Sequence, residues 1–477
     1  MIDEPIYAPN IYLFAFQNAK FIVSDNRGEL VDPQWIYKTS KTILSQFHLD
    51  INEINFELKS GKFPPTRLHL LNNNDQKSSL PIDLSVPLEH EGQNSLKGRI
   101  YPLWIEDSYA LGLNIRYPQG EGVDAVAIDD LKNFNPASCF ARQTIKSNLG
   151  QTVLITGFLN QEQQRKKTKE LRQLADECYR IFTGLEPDVT SQQELPFYKT
   201  GKLFGSPIFE YGIPCHEDPN GHILIWFFFS ESTSENFIDC YQQFTDIFCY
   251  RNKVIKSYEN SQLDYQQGIQ ICKDLEQDIA EIKNFSNDAT LREQELQNLK
   301  LKLKHLLKTA LDYSQILRNL EYNYNSIKIN MENYQEKLTE VVQRLQKLGH
   351  WRNADLVFLE EFYQQDCPKY QAQIQANLFY LRHGLQLLDQ AIATIRGITE
   401  IDQAERDRTL HTLILIIGVG VGSGVMFAHS FSLTLPQTST EENIPTNPAL
   451  QTFSYSLGVG LFFALLTYLC RKFWKNR

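Results

Sequence analysis

Apolar positions along the chain follow two different rhythms, and the change falls near Ser232. Before it, the spacing is that of strands. Residues 11–16 (IYLFAF) form an unbroken apolar run, as in a strand buried on both faces. Ile54-Phe56-Leu58, Ile82-Leu84-Val86-Leu88 and Tyr109-Leu111-Leu113-Ile115 alternate, which predicts strands with one buried face. Residues 153–158 predict another strand, followed by a helix over 161–183 with Asn160 at its N-cap. Residues 223–229 (ILIWFFF) predict the last buried strand. Clusters of Gly, Pro, Asn and Asp at 72–75, 117–122 and 217–221 separate these elements. Residues 1–231 are therefore expected to form a mixed α/β domain.

Beyond Ser232 the spacing becomes helical. Tyr265, Gly268, Cys272, Leu275, Ile279 and Ile282 recur at intervals of three and four, and residues 284–289 (NFSNDA) predict a turn. The strongest pattern follows. Alternating steps of three and four from Leu296 to Leu348 meet an apolar or aromatic residue every time, which predicts one helix about 80 Å long. Gly349-His350 closes it. A short helix is expected over 354–365. Pro368 then opens another, with Ile374, Leu378, Leu381, Leu385, Leu388, Ile392 and Ile395 in heptad phase. Residues 232–366 read as long antiparallel coiled-coil helices, and 367–409 as a stalk helix. No proline interrupts the run before Leu435, and Gly397 alone costs a helix about 1 kcal/mol.

Two uncharged apolar segments, 410–435 and 453–470, end the sequence. As helices they would extend about 39 Å and about 27 Å, against roughly 30 Å of bilayer hydrocarbon. They predict two transmembrane helices, with the stalk continuous with the first. Arg396, Arg406 and Arg408 precede the first span, and Arg471, Lys472, Lys475 and Arg477 follow the second. The loop 436–452 has neither Lys nor Arg but carries Glu441 and Glu442. Basic flanks stay inside, so both termini are expected in the cytoplasm and the short loop outside. The 471–477 tail is then basic and cytoplasmic.

Projected at 100° per residue, Thr409, Thr412, Ser423, Ser430 and Thr434 share one face of the first span, and His411, Gly418, Gly422 and His429 share a nearly opposite one. In one reading Thr412, Ser423, Ser430 and Thr434 line an oligomeric pore, while Gly418 and Gly422 allow close helix packing. In the other, the hydroxyls satisfy their own backbone and the glycines only pack. Two spans cannot enclose a pore alone, so conduction requires an oligomer.

Composition narrows the choices. A net charge of −10 argues against nonspecific nucleic-acid binding, which needs a basic face. Eight cysteines without a C-x-x-C read as reduced thiols rather than a disulfide or zinc framework. The acidic N-terminus does not resemble a signal peptide, which places the soluble part in the cytosol. Three clusters attract attention. Cys215-His216-Glu217-Asp218 with His222 has metal-ligating residue types but lies in a Pro/Asn/Gly turn and reads as a polar loop. Arg165-Lys166-Lys167-Lys169 reads as a solvated helix face. Glu121, Asp124, Asp129 and Asp130 have the oxygen ligands a hard cation requires but read as a solvated loop. Neither G-x-x-x-x-G-K-[ST], G-x-S-x-G nor H-E-x-x-H occurs, so no enzymatic activity is expected.

The order of parts resembles the CorA-type channel superfamily: a cytosolic α/β domain, long antiparallel helices, a stalk running into the first span, a short acidic outer loop, a second span and a basic tail. The resemblance implies a homo-oligomer, as a pentamer, in the cell (inner) membrane. A pore lined by the first span would be gated by a cytosolic domain that senses a ligand. A divalent cation or a nucleotide are the ligand chemistries it implies, and divergent members include membrane effectors of prokaryotic antiviral defence. The family's Gly-Met-Asn is missing: the outer end of the first span reads Val425-Met426-Phe427-Ala428-His429-Ser430-Phe431. Magnesium selectivity is therefore not implied, although Glu441 and Glu442 would attract cations to the outer mouth. The competing expectation is a non-conducting, membrane-anchored coiled-coil scaffold.

Overall fold

The computed structural model describes residues 4–22, 28–30, 34–49, 57–59, 61, 63–72, 79–84, 96–117, 125–185, 195–214, 216, 218–283, 293–350, 356–403, 458–459, 462 and 465–466. They form an α+β fold in which an N-terminal sheet domain is followed by long helices. Two compact units are distinguished, Met1–Lys273 with Leu311–Leu385, and Asp274–Ala310 with Gln386–Arg477.

In chain order the elements of the sheet domain are β1 (Ile6–Asn18), β2 (Lys20–Ile22), β3 (Gly28–Leu30), α1 (Gln34–Gln46), β4 (Leu68–His69), β5 (Leu80–Leu84), β6 (Leu96–Ile105), β7 (Ser108–Arg116), β8 (Ala125–Val126), α2 (Arg142–Ile145), β9 (Gly150–Phe158), α3 (Thr168–Thr183), β10 (Phe197–Leu203), β11 (Ser206–Tyr211), β12 (His222–Phe228) and α4 (Glu231–Asp239). The main sheet runs β10-β11-β12-β9-β1-β7-β6-β4, with β5 on β6, β8 on β1, and β2–β3 a separate ribbon. Its neighbours are antiparallel except β12 and β9, which run parallel with His222 opposite Thr152.

Both faces of β1 are covered, which is why its sequence is continuously apolar. Ile11, Leu13 and Ala15 enter the core that α1 and α3 close with Ile43, Leu44, Leu171 and Leu174. Tyr12 and Phe14 point the other way. They meet Phe237 of α4 and Tyr241 and Phe248 of the following helix, α5 (Tyr241–Lys283), at ring-centroid distances of 5.1–6.0 Å.

The predicted strands over 11–16, 109–115, 153–158 and 223–229 correspond to β1, β7, β9 and β12. Residues 54–56 and 85–88 lie outside the described residues, and Leu58 forms only an isolated bridge to Leu71. The helix expected over 161–183 is divided: α3 starts at Thr168, after a 3-10 turn at Gln163–Arg165. Asn160 is not the N-cap of α3, a position held by Lys167; its Oδ1 accepts from the Gln163 backbone at 2.8 Å in the turn before it. The side chains behind it are tied elsewhere. Gln163 donates to Pro5 O at 2.9 Å, and Gln164 donates to Leu159 O and Phe229 O. These bonds hold the turn against the loops and delay the α-helix by two turns.

Three long helices follow: α5, α6 (Glu293–Leu348) and, after α7 (Val357–Glu361), α8 (Cys367–Gln403). Within the first unit, α5 and α6 run antiparallel and pair within one chain, through Ser257–Ser326, Asp264–Asn319 and Cys272–Tyr313. The heptad residues Tyr313, Leu317, Leu320, Ile327, Tyr334, Leu338, Val341 and Leu345 are buried. Helix α8 joins them, with Tyr258 stacked on Tyr370 at 4.2 Å and Tyr313 donating to Leu381 O at 2.7 Å. Gly268 and Gly384 allow this close approach: a Cβ on Gly268 would lie 2.7 Å from Leu381. Gly349 ends α6 with a left-handed backbone, and the His350 N–H returns to Leu345 O at 3.0 Å.

The short helix expected over 354–365 does not stop before Pro368. A π-helical turn, Phe362–Asp366, joins α7 to α8. The wider turn accommodates a proline that has no N–H to give and whose ring would strike the carbonyl four residues back. In the second unit, Leu299, Leu303, Leu306, Leu388 and Ile395 are buried, and Lys302 bonds Asp278 and Glu281.

Among the described residues no helix is long and apolar enough to cross a membrane. Segment 410–435 and loop 436–452 lie wholly outside the described residues, as do 453–457 and most of 458–470.

Candidate functional site

A charged cluster is buried where the sheet meets α5. Strand β11 alternates so that Phe209 and Tyr211 face the α3 side and Glu210 faces α5; on β12, His222 takes the same side as Glu210. Glu210 Oε1 accepts from Arg251 Nη2 at 2.6 Å and lies 3.1 Å from His222 Nε2. The side chains of Glu210, His222 and Arg251 are only 4%, 7% and 8% exposed, so each charge is held by its partners rather than by water.

The hydrogen bonds assign the imidazole tautomer. Asn252 Nδ2 donates to Thr152 Oγ1 at 3.0 Å, leaving the threonine O–H to donate to His222 Nδ1 at 2.9 Å. Nε2 then carries the proton and donates to Glu210. The chain Asn252–Thr152–His222–Glu210–Arg251 leaves α5, crosses the two parallel strands and β11, and returns to α5.

Burial would raise the Glu210 carboxyl pKa, but Arg251, the His222 hydrogen bond and Lys199 outweigh it and hold the group at about 2. Burial, then the Arg251 charge, pushes the His222 imidazole down to about 4 against the pull of Glu210. The pair is therefore a carboxylate and a neutral imidazole at neutral pH.

Two further pairs fasten the same helix. Lys253 bonds Asp107 at 2.6 Å and Glu106 at 3.5 Å in the β6–β7 turn, and Asp246 pairs with Arg67. Residues 246, 251 and 253 of α5 thus reach three separate parts of the sheet domain. On the far side of Glu210, Lys199 Nζ lies 3.7–3.9 Å from Glu210, Glu361 and Asp366, the last in the π turn. A cavity of about 10 Å³ lies beside these groups, lined also by Phe248, Tyr334 and Phe362.

A larger cleft of about 50 Å³ opens beside the start of β9 and β12, walled by α2, the β11–β12 loop and α5. Gly150, Gly212 and Gly221 line it, all with positive φ. A Cβ on Gly212 would strike Gly221 O, and one on Gly150 would lie 2.8 Å from Asn252 Oδ1. The positive φ and these close approaches both require glycine at 150 and 212.

The residues singled out from sequence are placed differently. Thr412, Ser423, Ser430, Thr434, Gly418, Gly422, Glu441 and Glu442 lie outside the described residues, as do Glu121 and Asp124. Asp129 and Asp130 sit in a 3-10 turn, where Asp130 accepts from Asn133. Lys166 pairs with Glu4, while Arg165, Lys167 and Lys169 are exposed. Cys215 and Glu217 are not described. His216 is exposed, Asp218 accepts from the Asn220 backbone at 2.9 Å, and His222 belongs to the buried cluster. No group of three or more His, Cys, Asp or Glu side chains among the described residues is placed to hold a metal ion. Arg251, Lys253 and Glu210 were missed in the sequence; for Glu210 the available signal was a charge inside an otherwise apolar run, IFEY. The chain matches no protein-family model and no curated protein.

Proposed function

We propose that this protein is a CorA-like, homo-oligomeric membrane channel or ligand-gated membrane effector, in which the sheet domain receives a signal and the long helices pass it to a pore lined by the first apolar span. The observation that carries the reading is the fastening of α5 to the sheet domain by three separate ion pairs, the buried Arg251–Glu210, the largely buried Asp246–Arg67, and Lys253–Asp107, whose carboxylate is exposed. A helix held at several points follows a rearrangement of the sheet as a body, and breaking the buried Arg251–Glu210 pair alone costs about 3–5 kcal/mol. In the same unit α5 is packed closely on α6 and α8, and the sequence of α8 leads on to residues 410–435. The basic flanks of both apolar segments support a topology with both termini in the cytoplasm of a cell (inner) membrane.

In this reading Thr412, Ser423, Ser430 and Thr434 face the pore axis, Gly418 and Gly422 pack on the second span, and Glu441 and Glu442 attract cations at the mouth. The test is mass measurement of the full chain in detergent after crosslinking, together with conductance in planar bilayers. A closed ring, five-membered by the CorA resemblance, that conducts supports the channel. A dimer that passes no ion under any ligand condition replaces it with a membrane-anchored scaffold.

A further inference from the structure

We propose that the cleft beside the start of β9 and β12 binds a small zwitterion of the amino-acid class, a carboxylate on one carbon from an ammonium. Both charge types are present at the site. Arg142 and Lys256 supply the positive side, and Asp218 and Glu259 the negative side. Lys256 and Glu259 are a loose pair at 3.5 Å on one face of α5, whereas Arg142 acts on Asp218 electrostatically without forming a direct salt bridge to it. A simple anion entering here meets Asp218, and a simple cation meets Arg142. A ligand with adjacent opposite charges satisfies both.

A buried acceptor fixes the donor side. Gln151 is only 2% exposed, and its Nε2 donates to the Phe140 carbonyl. Its Oε1 has no hydrogen-bond partner among the described residues and belongs to a residue lining the cleft. A buried acceptor left unpaired is costly, so a ligand N–H that reaches it is favoured. Gly221 lies between the two recognition groups: a Cβ on it would be 3.1 Å from the Arg142 stem and 3.6 Å from that of Gln151. The stems of Arg142 and Gln151 therefore flank one glycine. The carboxylate pairs with Arg142, the ammonium donates to Gln151 Oε1 and faces Asp218, and the ligand's own side chain lies towards Lys256 and Glu259, which also line the cleft. Because Asn252 lines the cleft and also bonds Thr152 of the buried cluster, occupancy is felt on α5.

The site names an input for the relay proposed above and in that respect rests on it, but binding is measured without reference to conductance. The full chain in detergent is titrated singly with the free protein amino acids, and with acetate, inorganic phosphate and methylammonium as single-charge probes, following the unfolding temperature. At least one amino acid is expected to raise it in proportion to ln(1 + [L]/Kd), with the single-charge probes inert. Arg142→Met is expected to weaken that amino acid about tenfold or more. Lys256→Gln, on a different element, is expected to weaken those with acidic side chains selectively. Stabilisation by acetate or phosphate equal to that by an amino acid, no response to any amino acid at millimolar concentration, or unchanged affinity in a folded Arg142→Met protein overturns the proposal. A ring that conducts but binds no amino acid overturns this site alone; binding without conduction overturns the channel alone.

Discussion

At position 210 a carboxylate sits among Leu224, Phe248 and Tyr334, surroundings that would neutralise it without partners. Arg251 and His222 supply the partners, so the cluster is sensitive to losing either. Arg251→Met leaves Glu210 buried and unpaired and is expected to cost about 3–5 kcal/mol, read as a fall in the urea midpoint; Arg251→Met/Glu210→Met is expected to recover most of it, because two apolar groups need no partner. The pH dependence follows from the same pair. Burial holds His222 at about 4 in the folded chain, below its ordinary 6.5. As pH falls through 6.5 the unfolded chain takes the proton first, so the stability from the neutral imidazole is full above 6.5 and lost progressively down to about 4. Glu210, at about 2 against an ordinary 4.5, contributes stability that is full above 4.5 and lost as pH falls towards 2. In His222→Gln the loss between pH 6.5 and 4 should be reduced while the loss below 4.5 persists. A variant whose urea midpoints track the parent across the whole range would remove His222 from the account.

Among the elements, the three-helix packing in the first unit depends on small residues at crossings. A Cβ on Gly384 would strike the Tyr313 hydroxyl and lie 2.6 Å from Cys272 Sγ. That hydroxyl cannot yield cheaply, because it donates to Leu381 O at 2.7 Å and touches Cys272 at 3.0 Å. Gly384→Ala gains up to about 1 kcal/mol of helix propensity and loses about 1–3 kcal/mol to overpacking. A net loss of stability is expected, and Tyr313→Phe, which removes the obstructing oxygen, should recover part of it. Strictly additive effects in the double-mutant cycle would show that the two residues do not meet. The heptads were legible here because packing repeats along a helix. The π turn was not, since Pro368 reads equally as the start of a new helix and as a residue accommodated inside a longer one.

For the whole molecule, the prediction concerns residues 410–435 and 453–470. Full-length protein is expected to float with lipid vesicles and to stay in the membrane fraction at alkaline pH; release there would exclude two spanning helices. Such runs, like the heptads and the buried strands β1, β7, β9 and β12, are one-dimensional patterns, set by solvent and helix geometry before any partner is chosen. The sequence by itself therefore determined the division at Ser232, the long helices and the basic flanks of the apolar segments. Tertiary structure alone decided which charges matter. Glu210, His222 and Arg251 are separated by 12 and 29 positions, and Arg142, Gln151 and Asp218 lie on different elements. Their proximity follows from the parallel placement of β12 on β9 and the docking of α5. Both depend on long-range pairing, which no local pattern encodes.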